Sequence, residues 1–353
     1  MDRISIQELI KKPIQHIPSR YLVDEEPAVA LSFPCDEINS SFGSTIPIID
    51  MNSFLGDEQN KSLELEKLHS TCKELGVFQL VNHGVDLLLV EKLKNEIQEF
   101  YKLPLEEKLR YKIRPGDFEG YGQTIINSED QKVDWADRFY MITNPTRRRK
   151  PHLLPELPSS LRETLEAYIS ELQKLSLSII ALIAEALKID KKEVVEMFEN
   201  GMQSVRMTYY PPCPQPNQVI GLTPHSDASG ITILLQVNGV EGFQIKKDGV
   251  WMPVKIIPDA FVVNLGDVIE ILSNGLYKST EHRATVNSEK ERISIAMFFN
   301  PKFEAQVGPS PSLLINNSPI FRSMQMDQYV KAFFSQRLNG KTFLDYMKTK
   351  EEI

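Results

Sequence analysis

The chain of 353 residues is 41% apolar, enough for a packed core in one large domain or two small ones. A net charge of −8 and a pI near 5.5 leave no basic footprint for nucleic acid, and the basic runs 147–150 and 348–350 read as solvated faces. Three scattered cysteines, Cys35, Cys72 and Cys213, form no CxxC pair and read as free thiols in a reducing compartment. No cationic start followed by an apolar run is visible, and 175–187, the most apolar helical stretch, is too short for a bilayer and carries Glu185. The expectation is a monomeric cytoplasmic protein without membrane or nucleic-acid partners.

In chain order, residues 1–44 hold a short helical pattern at 4–11 and then a lead interrupted by proline and charge. Region 45–200 is predicted to be mostly helical, with strands that join the core. A strand at 46–50 precedes a helix at 62–76 that closes on a glycine, and 78–81 returns to strand character. His83, in a turn with Gly84, is expected to be structural. A helix at 88–103 stops at Pro104, and the glycine-rich aromatic stretch 116–121 reads as a flexible flap. A strand at 134–141 and three prolines lead to a long scaffold helix at 161–187, then a shorter one at 191–200.

Region 201–305 reads as all β. Turn signals at Lys247-Asp-Gly249, Pro258-Asp259, Gly266-Asp267 and Asn274-Gly275 separate short strands, the pattern of a sandwich or barrel. Within it, Thr223-Pro-His-Ser-Asp227 sets His225 and Asp227 two residues apart, on one face if the stretch is a strand. His282 follows in Ser279-Thr-Glu-His-Arg283. Two imidazoles and one carboxylate on one side of a metal leave three positions open, the arrangement of non-haem Fe(II) oxygenases. Arg292 and Ser294, i and i+2 on a predicted strand, can grip one carboxylate as fork and hydroxyl. A chelated metal beside an anion clamp points to a cosubstrate with a chelating end and a distal carboxylate, and 2-oxoglutarate has both. A zinc hydrolase would also use His and Asp, but HExxH is absent and the clamp would have no purpose. Phe298 shares the Ser294 face. In 306–353, prolines precede a helix at 326–338 and a last helix to 348.

Tyr209-Tyr-Pro-Pro-Cys-Pro214, His225-Ser-Asp227, Asn264-Leu-Gly-Asp267, His282-Arg283 and Arg292-Ile-Ser294 resemble the plant 2-oxoglutarate- and Fe(II)-dependent dioxygenases. Ile46-Pro-Ile-Ile-Asp50 and Gly76-Val-Phe-Gln-Leu-Val-Asn-His-Gly84 are similar to that family's N-terminal region. The resemblance spans 45–345. Glu119-Gly-Tyr-Gly-Gln123 and Ser128-Glu-Asp-Gln131 through Asp134-Trp-Ala-Asp137 look like its senescence-related branch, which includes alkaloid O-demethylases. It implies a mixed α and β fold, with a double-stranded β-helix (jelly-roll) core, flanking N-terminal helices and a C-terminal helical lid. It implies Fe(II) on His225, Asp227 and His282, and 2-oxoglutarate on Tyr210, Arg292 and Ser294, with dioxygen as oxidant and ascorbate in support. It places a small-molecule substrate among Tyr121, Arg206, Phe298 and Asn300, planar or polycyclic and held between Tyr121 and Phe298. Hydroxylation or O-demethylation of a plant specialised metabolite is the expected reaction. Desaturation, oxidative ring closure and a non-catalytic jelly-roll binding protein are the alternatives. Thr208 stands where the family commonly has Asn.

Overall fold

The computed structural model describes residues 5–11, 14, 16–23, 46–123, 132–315, 317–336 and 339–349. The lead 24–45, with Cys35, and the motif segment 124–131 lie outside them. In chain order the main strands are β1 (Ile48–Asp50), β2 (Val77–Val81), β3 (Gly120–Gly122), β4 (Asp137–Asn144), β5 (Gln203–Tyr210) and β6 (Leu222–His225). They continue as β7 (Ile231–Gln236), β8 (Phe243–Lys247), β9 (Val250–Pro253), β10 (Phe261–Leu265), β11 (His282–Ala284) and β12 (Arg292–Phe299). An eight-stranded sheet runs β1-β2-β10-β7-β12-β5-β4-β3 and faces a four-stranded sheet, β6-β11-β8-β9. This is a jelly-roll core, to which the strands before residue 145 also contribute.

Strand alternation divides the large sheet's residues between two environments. Val205, Met207, Ile233, Leu235, Val263, Leu265, Ile293, Ile295 and Met297 join the core shared with the helices. Their even-numbered neighbours Arg206, Tyr210, Thr232, Leu234, Asn264, Arg292, Ser294 and Phe298 line cavities between the sheets. The helical side is backed by the 27-residue helix Leu161–Leu187, whose buried stripe includes Leu165, Tyr168, Leu172, Ile179 and Ile183. By length and composition this helix could cross a membrane, so the expectation that the most apolar stretch is too short is corrected. Here it packs its stripe against the sheet.

Several elements differ from the sequence reading. The helix predicted at 62–76 begins earlier, as Glu58–Glu74, because the Asp57 carboxylate accepts from the Asn60 amide as N-cap. The first helix is the short Ile6–Leu9, and the predicted 191–200 helix is Lys191–Phe198. The strand expected from 134 begins at Asp137. Region 201–305 is not all β: Asp267–Leu272 is a buried helix after Gly266, the residue read as a turn. A side chain at 266 would overlap the Ser229 carbonyl at 2.0 Å, so glycine lets this helix tuck beneath the 227–229 loop. The flap 116–121 is docked, since Gly120–Gly122 pairs with β4 and buried Glu119 accepts from the Ile142 amide. Lys150 binds both Asp117 and Glu119, and Arg149 binds Glu166, so the basic run is partly tied down rather than solvated. His83 is structural. Its Nδ1 accepts from the Val85 amide, its Nε2 meets the Asp259 carbonyl, and burial lowers its pKa.

Candidate active site

β6 and β11 are antiparallel neighbours in the small sheet, and their register sets His225 directly opposite His282. Asp227 lies two residues beyond the end of β6, so strand alternation does not aim it as the sequence reading had assumed. Instead its Oδ2 accepts from the Thr232 hydroxyl (2.6 Å) and the Asn264 amide (2.9 Å), which turns Oδ1 toward the imidazoles. That oxygen is 3.4 Å from His225 Nε2 and 3.7 Å from His282 Nε2. Each imidazole is oriented from behind: His225 Nδ1 donates to the Thr223 carbonyl at 2.7 Å, and His282 Nδ1 to the Thr280 carbonyl at 3.0 Å. A carbonyl can only accept, so the proton sits on Nδ1 and each Nε2 lone pair is free for a metal.

The chemistry of this donor set suits a divalent cation. All three residues are buried, their ligand atoms lie within 4.8 Å of one another, and His225 Nε2 has no hydrogen-bond partner among the described residues. Burial opposes ionisation of Asp227, but the positive charge that His282 and His225 carry when protonated, with the Thr232 hydroxyl, holds its carboxyl well below the usual range. Burial also holds the His282 pKa down to about 4, so its ring is neutral at physiological pH. Imidazole, imidazole and carboxylate converging from one side, with no fourth side-chain ligand among the described residues, fit Fe(II).

A narrow cavity leads from Asp227 and His282 to Tyr210, Arg292 and Ser294, between apolar walls that include Leu234, Phe243 and Ala296. Arg292 is only 1% exposed. Its guanidinium lies 5.0 Å from the Tyr210 ring centre, its Nη1 is 3.5 Å from Ser294 Oγ, and its Nε has no partner among the described residues. Gly242, at φ +155°, passes so close that a side chain would meet Arg292 Cδ at 2.9 Å. A buried guanidinium without a carboxylate is costly alone, and an anionic ligand offsets that cost. The residues expected to hold 2-oxoglutarate therefore stand together and fit its distal carboxylate.

A wider cavity of about 500 Å³ opens on the other side of His225 and Asp227. Arg206, Thr208, Phe298 and Asn300 line it, as does the lid helix Met326–Phe334 through Tyr329, Val330, Phe333 and Phe334. The helix predicted to reach 338 ends at Phe334, with Ser335 as its C-cap and Gln336 already non-helical; residues 337–338 lie outside those described. Tyr121 does not line this cavity. Its register partner on β4 is Phe139, and directly opposed residues share a face, so Tyr121 is buried in the helical core beside Phe100 and Phe139. The ring on the cavity side of β4 is Tyr140. Sequence reasoning missed it together with Phe118, which stacks on Phe334 at 4.3 Å between ring centres. Alternation from Phe139 could have found Tyr140. Nothing in the local sequence pairs Phe118 with Phe334.

Paired sheets, a buried iron-type ligand set and an anion clamp in one cavity define a non-haem oxygenase that uses a 2-oxo acid. Comparison with known proteins carries this to a family. Residues 186–301 match the 2OG-Fe(II) oxygenase superfamily, and residues 46–157 match the non-haem dioxygenase in morphine synthesis N-terminal region. Codeine O-demethylase of Papaver somniferum is 49% identical, over 98% of this chain and 95% of that protein. Oxoglutarate-dependent flavonoid 7-O-demethylase 1 of Ocimum basilicum is 47% identical, over 98% of this chain and 90% of that one. The crystal structure of JOX2 in complex with 2OG, Fe and JA superimposes with a TM-score of 0.89 at 34% identity, covering 99% of this chain and 98% of that one. The chain belongs to the 2OG-Fe(II) oxygenase superfamily and is a 2-oxoglutarate-dependent dioxygenase.

Proposed function

We propose that this enzyme removes a methyl group from a methoxylated, planar, polycyclic plant metabolite of the alkaloid or flavonoid kind. The observation that carries the reading is the wide cavity: Phe118, Tyr140, Phe298, Phe333 and Phe334 line it beside the two ligands His225 and Asp227. Flat rings stack well on such walls. The names of the two O-demethylases near half identity support the same reaction. His225, Asp227 and His282 would hold Fe(II), which with 2-oxoglutarate and dioxygen supplies the oxidant for the substrate C–H bond. Tyr210, Arg292 and Ser294 would orient 2-oxoglutarate from its far end. Arg206 is held near Phe298, 5.4 Å from the ring centre, and with Asn300 offers the substrate's oxygen functions polar contacts. The aromatic walls exclude water and present one methoxy carbon to the metal, which sets the position attacked. Once that carbon bears a hydroxyl, the product is a hemiacetal that collapses to a phenol or alcohol and formaldehyde.

Incubation with a panel of methoxylated alkaloids and flavonoids, Fe(II), 2-oxoglutarate and ascorbate tests this. Mass spectrometry should find product lighter by one methylene, with formaldehyde and succinate formed in equal amounts. Product heavier by one oxygen without formaldehyde would make the enzyme a hydroxylase. Loss of two hydrogens would make it a desaturase or ring-closing enzyme. Cys72 and Cys213, both free and buried, support the further proposal of a reducing, cytoplasmic setting. The expectation that it acts as a monomer is checked by sedimentation.

A further inference from the structure

The C-terminal segment reaches the metal ligands from behind. The Gly340 amide donates to the Pro224 carbonyl (2.9 Å) and the Ser226 amide to the Gly340 carbonyl (3.1 Å), so two backbone bonds bracket His225. The next residue, Lys341, sends its ammonium inward to Glu270 Oε2 at 2.7 Å and to the Ser279 carbonyl at 2.8 Å. Glu270 Oε2 also accepts the Ser279 amide (2.6 Å), and the Ser279 hydroxyl donates to Asp267 Oδ1. Two members of this network touch the ligand set. The Asp267 amide donates to the Asp227 carbonyl at 2.7 Å, and Ser279 precedes Thr280, whose carbonyl orients His282. Asp267, Glu270 and Ser279 are buried, with Lys341 as the cation paired with Glu270.

The same segment is tied to the lid. Phe343, two residues after Lys341, packs on Tyr329 (4.9 Å between ring centres) and on Phe333 (5.3 Å) of the lid helix. Tyr329 and Phe333 both line the wide cavity.

We propose that Lys341 is a positioning residue for the iron centre, a latch through which the lid and the metal ligands hold one another in place. The inference rests on the assignment of His225, Asp227 and His282 as the metal site, and on nothing about the substrate. With Lys341 engaged, the backbone before His282 and the backbone flanking His225 are fixed in one arrangement. Without it, Ser279 loses its donor and Glu270 its counter-ion, and the ligands must be gathered by the metal itself. Groups behind metal ligands typically change affinity about 10- to 100-fold when removed.

The test uses Co(II) as an oxygen-stable probe of the full-length protein, with the dissociation constant read from its visible absorption. Lys341→Met should weaken Co(II) binding about tenfold or more, and Lys341→Arg should recover most of it. Because Lys341→Met leaves Glu270 buried without a counter-ion and could unfold the protein, Glu270→Gln/Lys341→Met removes both charges. It should remain folded by circular dichroism and still bind Co(II) more weakly, since the Ser279 carbonyl has no donor. Hydrogen exchange across Met326–Phe334 should slow when Co(II) is added to the wild type and change little in the double variant. A folded double variant with wild-type Co(II) affinity would overturn the proposal, and exchange that slows equally in both proteins would overturn the link to the lid. Asp227→Ala separates the two readings: if it binds Co(II) as tightly as wild type, the metal-site assignment itself has failed.

Discussion

The narrow and wide cavities share Asp227 as a boundary, with Arg206 and Phe298 beside it, but are built by different rules. The narrow one is walled by strands of both sheets, and its key polar groups are set by alternation and register: Tyr210 opposite Arg292, and Ser294 two residues further along the same face. Few of its contacts can change without breaking a ladder. The wide one joins one edge of the large sheet (β4, β5 and the end of β12) to β6 and the 226–229 loop, the 132–136 segment, the loop at Phe118 and the lid helix. Aromatic side chains converge there without sharing a ladder. A cosubstrate common to a family belongs in the first kind of site. A substrate that differs among members belongs in the second, where rings can change while the sheets stay in register.

Breaking the boundary should have the largest effect. Asp227→Ala removes the ligand that both cavities share, so turnover should fall to background, as should the visible absorption on anaerobic mixing with Fe(II) and 2-oxoglutarate. A variant with full activity would remove the iron assignment. Arg292→Ala probes the narrow side alone. Leaving a carboxylate buried without its partner costs on the order of 2–5 kcal/mol, roughly 30-fold to several thousand-fold in apparent 2-oxoglutarate affinity. The substrate KM should hardly move, and the reverse pattern would put the clamp on the wrong ligand.

Asn264→Ala takes one of the two donors from Asp227 Oδ2, which should weaken metal binding about 10- to 100-fold while apo-protein stability changes less than metal affinity does. Calorimetric titration with Ni(II) measures this. On the wide side, Phe298→Ala or Phe334→Ala should cost about 0.5–1.5 kcal/mol beyond area burial if the ring stacks on substrate, a rise in substrate KM of about 2- to 13-fold. More succinate per product should accompany it, with 2-oxoglutarate affinity unchanged in Phe334→Ala, since Phe334 lines the wide cavity alone whereas Phe298 lines both. Wild-type coupling in both variants would mean that these rings only pack the fold. The smallest catalytic effect belongs to Tyr121, which faces neither cavity. Tyr121→Phe should leave kcat and both KM values unchanged, whereas Tyr121→Ala should lower thermal stability, because a large core ring truncated to alanine costs about 3–5 kcal/mol.

The sequence by itself determined the chemistry. His225, Asp227 and His282 could be read as ligands, and Arg292 with Ser294 as a clamp, because metal coordination and carboxylate recognition demand those side chains whatever surrounds them. The long scaffold helix was equally legible from its apolar period, and its ends fall where the pattern predicts. Only the tertiary structure decided which way the remaining groups face. Gly120-Tyr-Gly122 is too short and too glycine-rich to carry an alternation of its own, so pairing with β4 turned Tyr121 toward the helices and left Tyr140 on the cavity side. The buried helix at 267–272 reads as another strand-end turn until the 227–229 loop above it shows why glycine is required at 266. Phe118 and Phe334, or Lys341 and Glu270, are partners across long stretches of chain. No local propensity encodes such pairs, because side-chain preferences act over a few residues while contacts between distant segments exist only once the sheets and the lid have closed.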